Sequence, residues 1–220
     1  LPYVAAYKPN LAFYEAHGAK GWDELARTME LLRSMAPDVF TIADAKRADI
    51  GSTNAGYVSA IFDELGFDAV TLHPYLGAEA LAPFLERVDK ASIVLCRTSN
   101  PGAGELQDLE VGGTPLWETV ATRVRGEWNT RGNCLLVVGA TYPAELARAR
   151  ELCPDLTFLV PGVGAQGGDA AAVVGAGLDA NGRGLLINSS RDIIFAADPA
   201  AAARALRDQI REAVATRGAP

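Results

Sequence analysis

Histidine is nearly absent from this chain. Only His17 and His73 occur among its 220 residues, and no carboxylate or thiol stands at ligand spacing from both, which argues against a transition-metal site. Cysteine is scarce as well. Cys96, Cys134 and Cys153 are odd in number and lack CxxC spacing, so they read as reduced core thiols of a cytoplasmic protein rather than as a disulfide frame. There is no GxSxG elbow, and Cys96 falls inside an apolar strand, so nucleophilic acyl transfer has no support. Long apolar runs are also missing. None approaches the roughly 20 residues that span a bilayer, and the opening Leu1-Pro-Tyr-Val-Ala-Ala-Tyr-Lys8 has no charged segment ahead of a signal-like core, so a soluble protein is expected. Positive charge is in deficit, with a formal net charge of -7 and a pI near 4.9, which argues against nucleic acid or an anionic membrane as the main partner. A small anion held by local positive groups stays open.

What the chain does contain is 49% hydrophobic and 21% charged residues, enough for one globular domain over residues 1–220 with a sizeable core. Apolar periodicity and Gly/Pro punctuation predict strands at 2–7, from 39, at 68–72, 92–96, 133–138, 157–160 and 184–188. Between and after them, helices are predicted at 11–17, 22–35, 50–65, 77–87, 116–128, 143–152, 170–176 and 198–215. The strands are short and apolar without alternation, which implies a parallel sheet covered by helices. Seven strands fall one short of a (β/α)₈ TIM barrel. The fold expected is therefore α/β, a TIM barrel whose first strand lies outside this numbering, with an open doubly wound sheet as the alternative. Residues 99–115, a Gly/Pro/acidic mixture with little periodicity, are expected to be a lid or a disordered loop.

Charge concentrates at strand ends. In Thr41-Ile42-Ala43-Asp44-Ala45-Lys46-Arg47-Ala48-Asp49-Ile50, a strand with its period of two puts Asp44 and Lys46 on one face, about 6.6 Å apart, and Asp49 follows just beyond. An anion, a cation and a second anion on an otherwise apolar element are costly unless they pair or act on a ligand, so a surface ion-pair cluster and a functional site both fit. Lys8, in Lys8-Pro9-Asn10, ends the first strand in the same way. Gly162-Val-Gly164-Ala-Gln166-Gly167 matches GxGxxG after a strand. It lacks the ribose-binding acid about 20 residues on, so glycines that open backbone N–H groups to an anion explain it better than a dinucleotide. Arg191 follows the last strand. A phosphate site from Gln166, the loop amides and Arg191 fits the position of phosphate in barrels, and a plain turn beside a surface arginine fits as well.

Together these residues resemble the orotidine 5′-phosphate decarboxylase family. Asp44-Ala-Lys46-Arg-Ala-Asp49-Ile50-Gly-Ser-Thr53 is similar to its DxKxxDI signature. Lys8-Pro9-Asn10 is similar to its second-strand lysine segment, Thr98-Ser99-Asn100-Pro101-Gly102 to its pyrimidine-contacting loop, Pro161 to Asp169 to its phosphate loop, and Arg191 to its phosphate arginine. PGVGAQGGD and GRGLLINSSR bring the longer bacterial form nearest, and the family's first strand with its ribose-binding aspartate has no counterpart. The resemblance implies a cofactor-independent carboxy-lyase that makes uridine 5′-phosphate in pyrimidine biosynthesis, with no metal. Lys46 would stabilise and protonate the C6 carbanion, held by Asp44 and Asp49, and Lys8 would orient Asp44. Ser99, Gln166, Arg191, Gly164, Thr53, Ile50 and Asn10 would bind substrate, and phosphate binding would drive closure of residues 99–115. It also implies a homodimer in which Asp49, Ile50 and Thr53 reach the neighbouring subunit's site. Three rivals remain: a magnesium-dependent lyase like 3-keto-gulonate 6-phosphate decarboxylase, a Schiff-base aldolase using Lys46 or Lys8, and a non-catalytic phosphate-binding protein.

Overall fold

A computed structural model describes residues 2–164 and 168–217, in two compact units. The first, residues 3–95 with 128–134, carries β1 (Ala6–Tyr7), α1 (Leu11–Glu15), α2 (Gly18–Met35), β2 (Phe40–Arg47), α3 (Gly51–Val58), β3 (Ala69–Leu72), α4 (Gly77–Leu85) and most of β4 (Ala91–Arg97). Each strand pairs in parallel with the next. Parallel strands covered on both faces must be apolar throughout, and Ile42, Ala43, Val70, Leu72, Ile93 and Val94 are accordingly buried beside Leu25, Met29, Phe67 and Phe84. Past α3 the helix widens into a π-helical segment, Ser59–Glu64, which the sequence pattern merged into one helix.

The second unit, residues 96–127 with 135–217, contains α5 (Gly104–Gln107), β5 (Glu110–Val111), β6 (Thr114–Pro115), α6 (Leu116–Arg123), β7 (starting at Cys134 and ending at Val138), α7 (Pro143–Leu152), β8 (Phe158–Pro161), α8 (Ala170–Gly177), β9 (Leu185–Asn188), α9 (Arg191–Ile194) and α10 (Pro199–Arg217). Again β7, β8 and β9 run parallel, each to the next. Asp169 caps α8 by accepting from the Ala171 and Ala172 N–H groups, and α10 packs on α8. All three cysteines are buried and free. Burial pushes the Cys134 and Cys153 thiols up to about 11 and Cys96 higher still, which suits core residues and not nucleophiles.

Residues 99–115, where a lid or a disordered loop is expected, hold regular elements. They form a 3₁₀ turn at Pro101–Ala103, the short α5, and a two-stranded antiparallel ribbon of β5 and β6. Gly112 and Gly113 both have positive φ, 62° and 82°, the two-residue hairpin turn whose twist matches its strands. That Gly-Gly pair was the signal hidden in the mixed composition. The segment is anchored at its base, where Arg97 of β4 lies 2.9 Å from Asp108 and 2.8 Å from Glu145, stacked on Tyr142.

Another arginine closes the second unit from inside. Arg150 on α7 donates to the carbonyls of Gly177, Cys153, Pro154, Leu156 and Gly184 while lying 3.9 Å over the Phe158 ring. Nothing in a helix reading of Pro143–Leu152 distinguishes it from a surface arginine, because its partners are backbone carbonyls that carry no sequence signature.

Candidate active site

Functional side chains gather where strands end. At the end of β1 the chain turns through Lys8-Pro9-Asn10, and the Asp44 N–H on β2 donates to the Pro9 carbonyl at 2.9 Å, so this corner lies directly against Asp44. The Asp44 carboxylate collects four donors. Oδ2 accepts from Lys8 Nζ at 2.7 Å and Asn10 Nδ2 at 3.3 Å, and Oδ1 accepts from Lys46 Nζ at 2.5 Å and Thr71 Oγ1 at 3.1 Å. The side chains of Lys8 and Asp44 are each 10% exposed, whereas that of Lys46 is 50% exposed. The network therefore has a buried base and one ammonium presented to solvent or ligand. Burial is the largest single influence on Asp44 and raises its pKa, but the Lys8 and Lys46 charges and hydrogen bonds together outweigh it and hold the carboxyl below the ordinary range.

Lys46 does not sit on a regular strand, as simple pleat geometry assumed. Pairing between β2 and β3 runs Ala43 opposite Val70 and then Arg47 opposite Leu72, so Asp44, Ala45 and Lys46 face the single residue Thr71. Within this bulge Lys46 has φ 49°, the one described non-glycine residue with positive φ. Such a conformation costs an L residue roughly 1–2 kcal/mol and persists only where its surroundings impose it. A bulge re-aims side chains beside a site, and here it brings Lys46 Nζ back onto Asp44 although their Cα atoms lie on a distorted strand.

Asp49 lies just past β2, on the loop that leads into α3. Its Oδ1 accepts from the Ile50 N–H at 2.7 Å, and the Asp44 carboxylate is the partner the structure gives Lys46. The loop bearing Asp49 is clamped by Asn54, a fully buried side chain on α3 whose Oδ1 accepts from the Asp49 N–H at 2.9 Å and whose Nδ2 donates to the Asp49 and Ala80 carbonyls. Asn54 and Thr71 are the two residues the sequence reading passed over. Neither carries a sequence signal, because each satisfies backbone groups that only the fold brings to it. Ile50 and Thr53 are exposed, Ile50 to 60%.

In the second unit, Thr98 and Ser99 follow β4. Thr98 N–H donates to Gln107 Oε1 at 2.9 Å, and Gln107 Nε2 returns a bond to Thr98 Oγ1 at 2.8 Å, which stitches this corner to α5. Gly139 is required where Ser99 passes, since a Cβ there would lie 2.9 Å from the Ser99 nitrogen. After β8, Gly164 has φ 83°, a conformation that favours glycine, and a Cβ there would have to displace the Asp192 carboxylate, 1.9 Å away. Gln166 lies outside the described residues. Arg191 begins α9, just past the end of β9, with its side chain exposed. Among the described residues no group of three or more His, Cys, Asp or Glu is arranged to hold a metal ion. No described helix is long and apolar enough to cross a membrane.

Parallel strands alternating with helices define a protein of the TIM-barrel class. Residues 1–206 match the orotidine 5′-phosphate decarboxylase / HUMPS family, and the chain belongs to it. Proteins named orotidine 5′-phosphate decarboxylase from Roseiflexus castenholzii and Thermomicrobium roseum are 52% and 54% identical to it, over 96% and 94% of the chain and 78% and 76% of their own lengths. Among solved structures, Leishmania donovani OMP decarboxylase superposes with a TM-score of 0.91 at 46% identity, covering 97% of this chain and 82% of that one. Leishmania donovani UMP synthase gives a TM-score of 0.95 at 48% identity over 99% of this chain, which spans only 48% of that longer protein.

Proposed function

We propose that this chain decarboxylates orotidine 5′-phosphate to uridine 5′-phosphate, with Lys46 as the group that acts at C6. The observation that carries the reading is a half-exposed ammonium fixed 2.5 Å from a buried carboxylate in a strained bulge, within a chain of this family. When the C6–CO₂ bond breaks, CO₂ departs and the electron pair stays on C6, in a ring that offers no ready sink. A preorganised cation beside C6 stabilises that charge as it develops, and the same ammonium then gives its proton to C6. Lys46 regains a proton from water for the next cycle. This scheme needs no cofactor. Lys8 and Asn10 orient Asp44, Ser99 contacts the pyrimidine, and Gly164, Gln166 and Arg191 bind phosphate.

The family description spans more than one branch, and the relatives near 50% identity bear the decarboxylase name, which favours this branch over a magnesium-dependent lyase. A fall in ultraviolet absorbance when orotidine 5′-phosphate is added, unaffected by a chelator, is the expected result. Binding without turnover would point to a phosphate-binding protein, and loss of turnover on chelation to the metal-dependent lyase. A Schiff-base aldolase is disfavoured because Lys8 and Lys46 are both tied to the Asp44 carboxylate, whereas a Schiff base needs a free amine.

Arg191→Ala should weaken the nucleotide about 10- to 150-fold, the equivalent of the roughly 1.5–3 kcal/mol of one charged hydrogen bond, and leave the phosphate-free nucleoside nearly unchanged. Equal losses on orotidine and orotidine 5′-phosphate would make Arg191 a structural residue. In the homodimer we propose, Asp49 and Thr53 complete the neighbouring subunit's site. Mixing inactive Lys46→Ala and Asp49→Ala subunits in equal amounts should then restore about a quarter of the native sites, since half the dimers are mixed and one site in each is intact. Verified subunit exchange without recovered turnover would refute the shared site.

A further inference from the structure

Thr71 stands alone on β3 opposite the three residues of the β2 bulge, and its hydroxyl is bonded in a way that leaves no ambiguity of direction. Lys46 N–H, which can only donate, gives its hydrogen to Thr71 Oγ1 at 2.9 Å. The single hydroxyl proton is therefore directed to Asp44 Oδ1 at 3.1 Å. Where the register skips from Ala43–Val70 to Arg47–Leu72, the Lys46 amide is paired by this side chain. At 1% exposure water cannot substitute for it.

We propose that Thr71 is a positioning residue for the decarboxylation, whose hydroxyl locks the bulge so that the Lys46 ammonium and its Asp44 partner are held in one geometry from both ends. The inference rests on the reading that Lys46 acts at C6. Thr71 holds the backbone end of Lys46, and Asp44 Oδ1, which accepts from both Thr71 and Lys46 Nζ, holds the other end, so a small ring of hydrogen bonds closes through Thr71 Oγ1, Asp44 Oδ1, Lys46 Nζ and Lys46 N. Valine has the same shape without the hydroxyl. It leaves the Lys46 N–H unpaired, frees the residue to relax from positive φ, and withdraws one of the four donors on Asp44. Valine would therefore keep the packing and release the aim of the ammonium.

The test compares Thr71→Val with Thr71→Ser in the full chain. Loss of aim by about 1 Å costs on the order of 10²-fold in rate, so Thr71→Val should lower kcat by about that factor while affinity for uridine 5′-phosphate changes by less than about threefold. Thr71→Ser keeps the hydroxyl and should stay within about threefold of the native kcat, although the lost methyl lowers its melting temperature. A residue that served stability alone would show the reverse order, with serine, the worse packer, the more impaired. Native-like kcat in Thr71→Val, or equal impairment of both variants, would overturn the proposal. Should Thr71→Val fail to fold, Thr71→Ala against Thr71→Ser decides the same point, because both lose packing and only one retains the hydroxyl. Absence of turnover in the native chain itself would instead refute the decarboxylase reading, so the two failures are distinct.

Discussion

Lys46→Ala is expected to abolish decarboxylation, lowering turnover by on the order of 10⁴-fold or more, while the folded protein and its affinity for uridine 5′-phosphate persist. Removing one preorganised charge donor alone costs about 10²- to 10³-fold, and removing a positioned proton donor about 10²- to 10⁴-fold. Lys46 is proposed to do both at one atom. A 10⁴-fold loss corresponds to about 5.4 kcal/mol of transition-state stabilisation. The cost to the fold is far smaller, because the Lys46 side chain is half exposed, and an ion pair of that kind contributes about 1 kcal/mol or less. Asp44 also keeps Lys8 and Asn10 on its other oxygen. The effect should thus fall on kcat, with nucleotide binding carried by groups remote from C6. Single-turnover absorbance measurements with product-binding titration would check it, and near-native turnover in the variant would end the assignment.

How much of this was legible beforehand depended on what kind of partner each residue has. The parallel α/β order was readable because buried parallel strands must be apolar throughout, and Ile42, Val70, Ile93 and Leu136 advertise that requirement. Lys8, Asp44 and Lys46 were readable because charge at the end of an apolar strand needs a reason. The bulge was not, since nothing in Ala43-Asp-Ala-Lys-Arg47 announces positive φ at Lys46; that conformation is imposed by the β3 register and by Thr71, about 25 residues away in sequence. Asn54, Thr71 and Arg150 escaped notice for the same cause. Each satisfies backbone groups distant in sequence, and a polar residue in a helix or strand looks like a surface residue until those groups are placed.

Asp44→Asn should impair the enzyme in a way that separates two accounts of this carboxylate. Four donors converge on its two oxygens, and asparagine has only one acceptor oxygen, so one pair of donors must face an NH₂ group. With Lys8 nine-tenths buried, breaking the pair is expected to cost about 3 kcal/mol of stability, toward the low end for a buried ion pair because the remaining oxygen still accepts. Turnover should fall on the order of 10²- to 10⁴-fold, since the ammonium loses its anchor. If Asp44 acts chiefly by holding Lys46, substrate affinity changes little; if it acts by repelling the substrate carboxylate, the variant should bind substrate more tightly as kcat falls. The saturated hydrogen bonding of both oxygens favours the first outcome. Acid stability gives an independent check. The folded pKa of Asp44 is depressed below its unfolded value near 3.9, so its contribution is fully present above about pH 4 and is lost as pH falls through the folded pKa. Urea unfolding of the native chain and Asp44→Asn should accordingly show a gap that is constant from neutral pH down to about 4 and narrows below it. A gap that held constant or widened in acid would mean that the Asp44 charge is not what stabilises this corner.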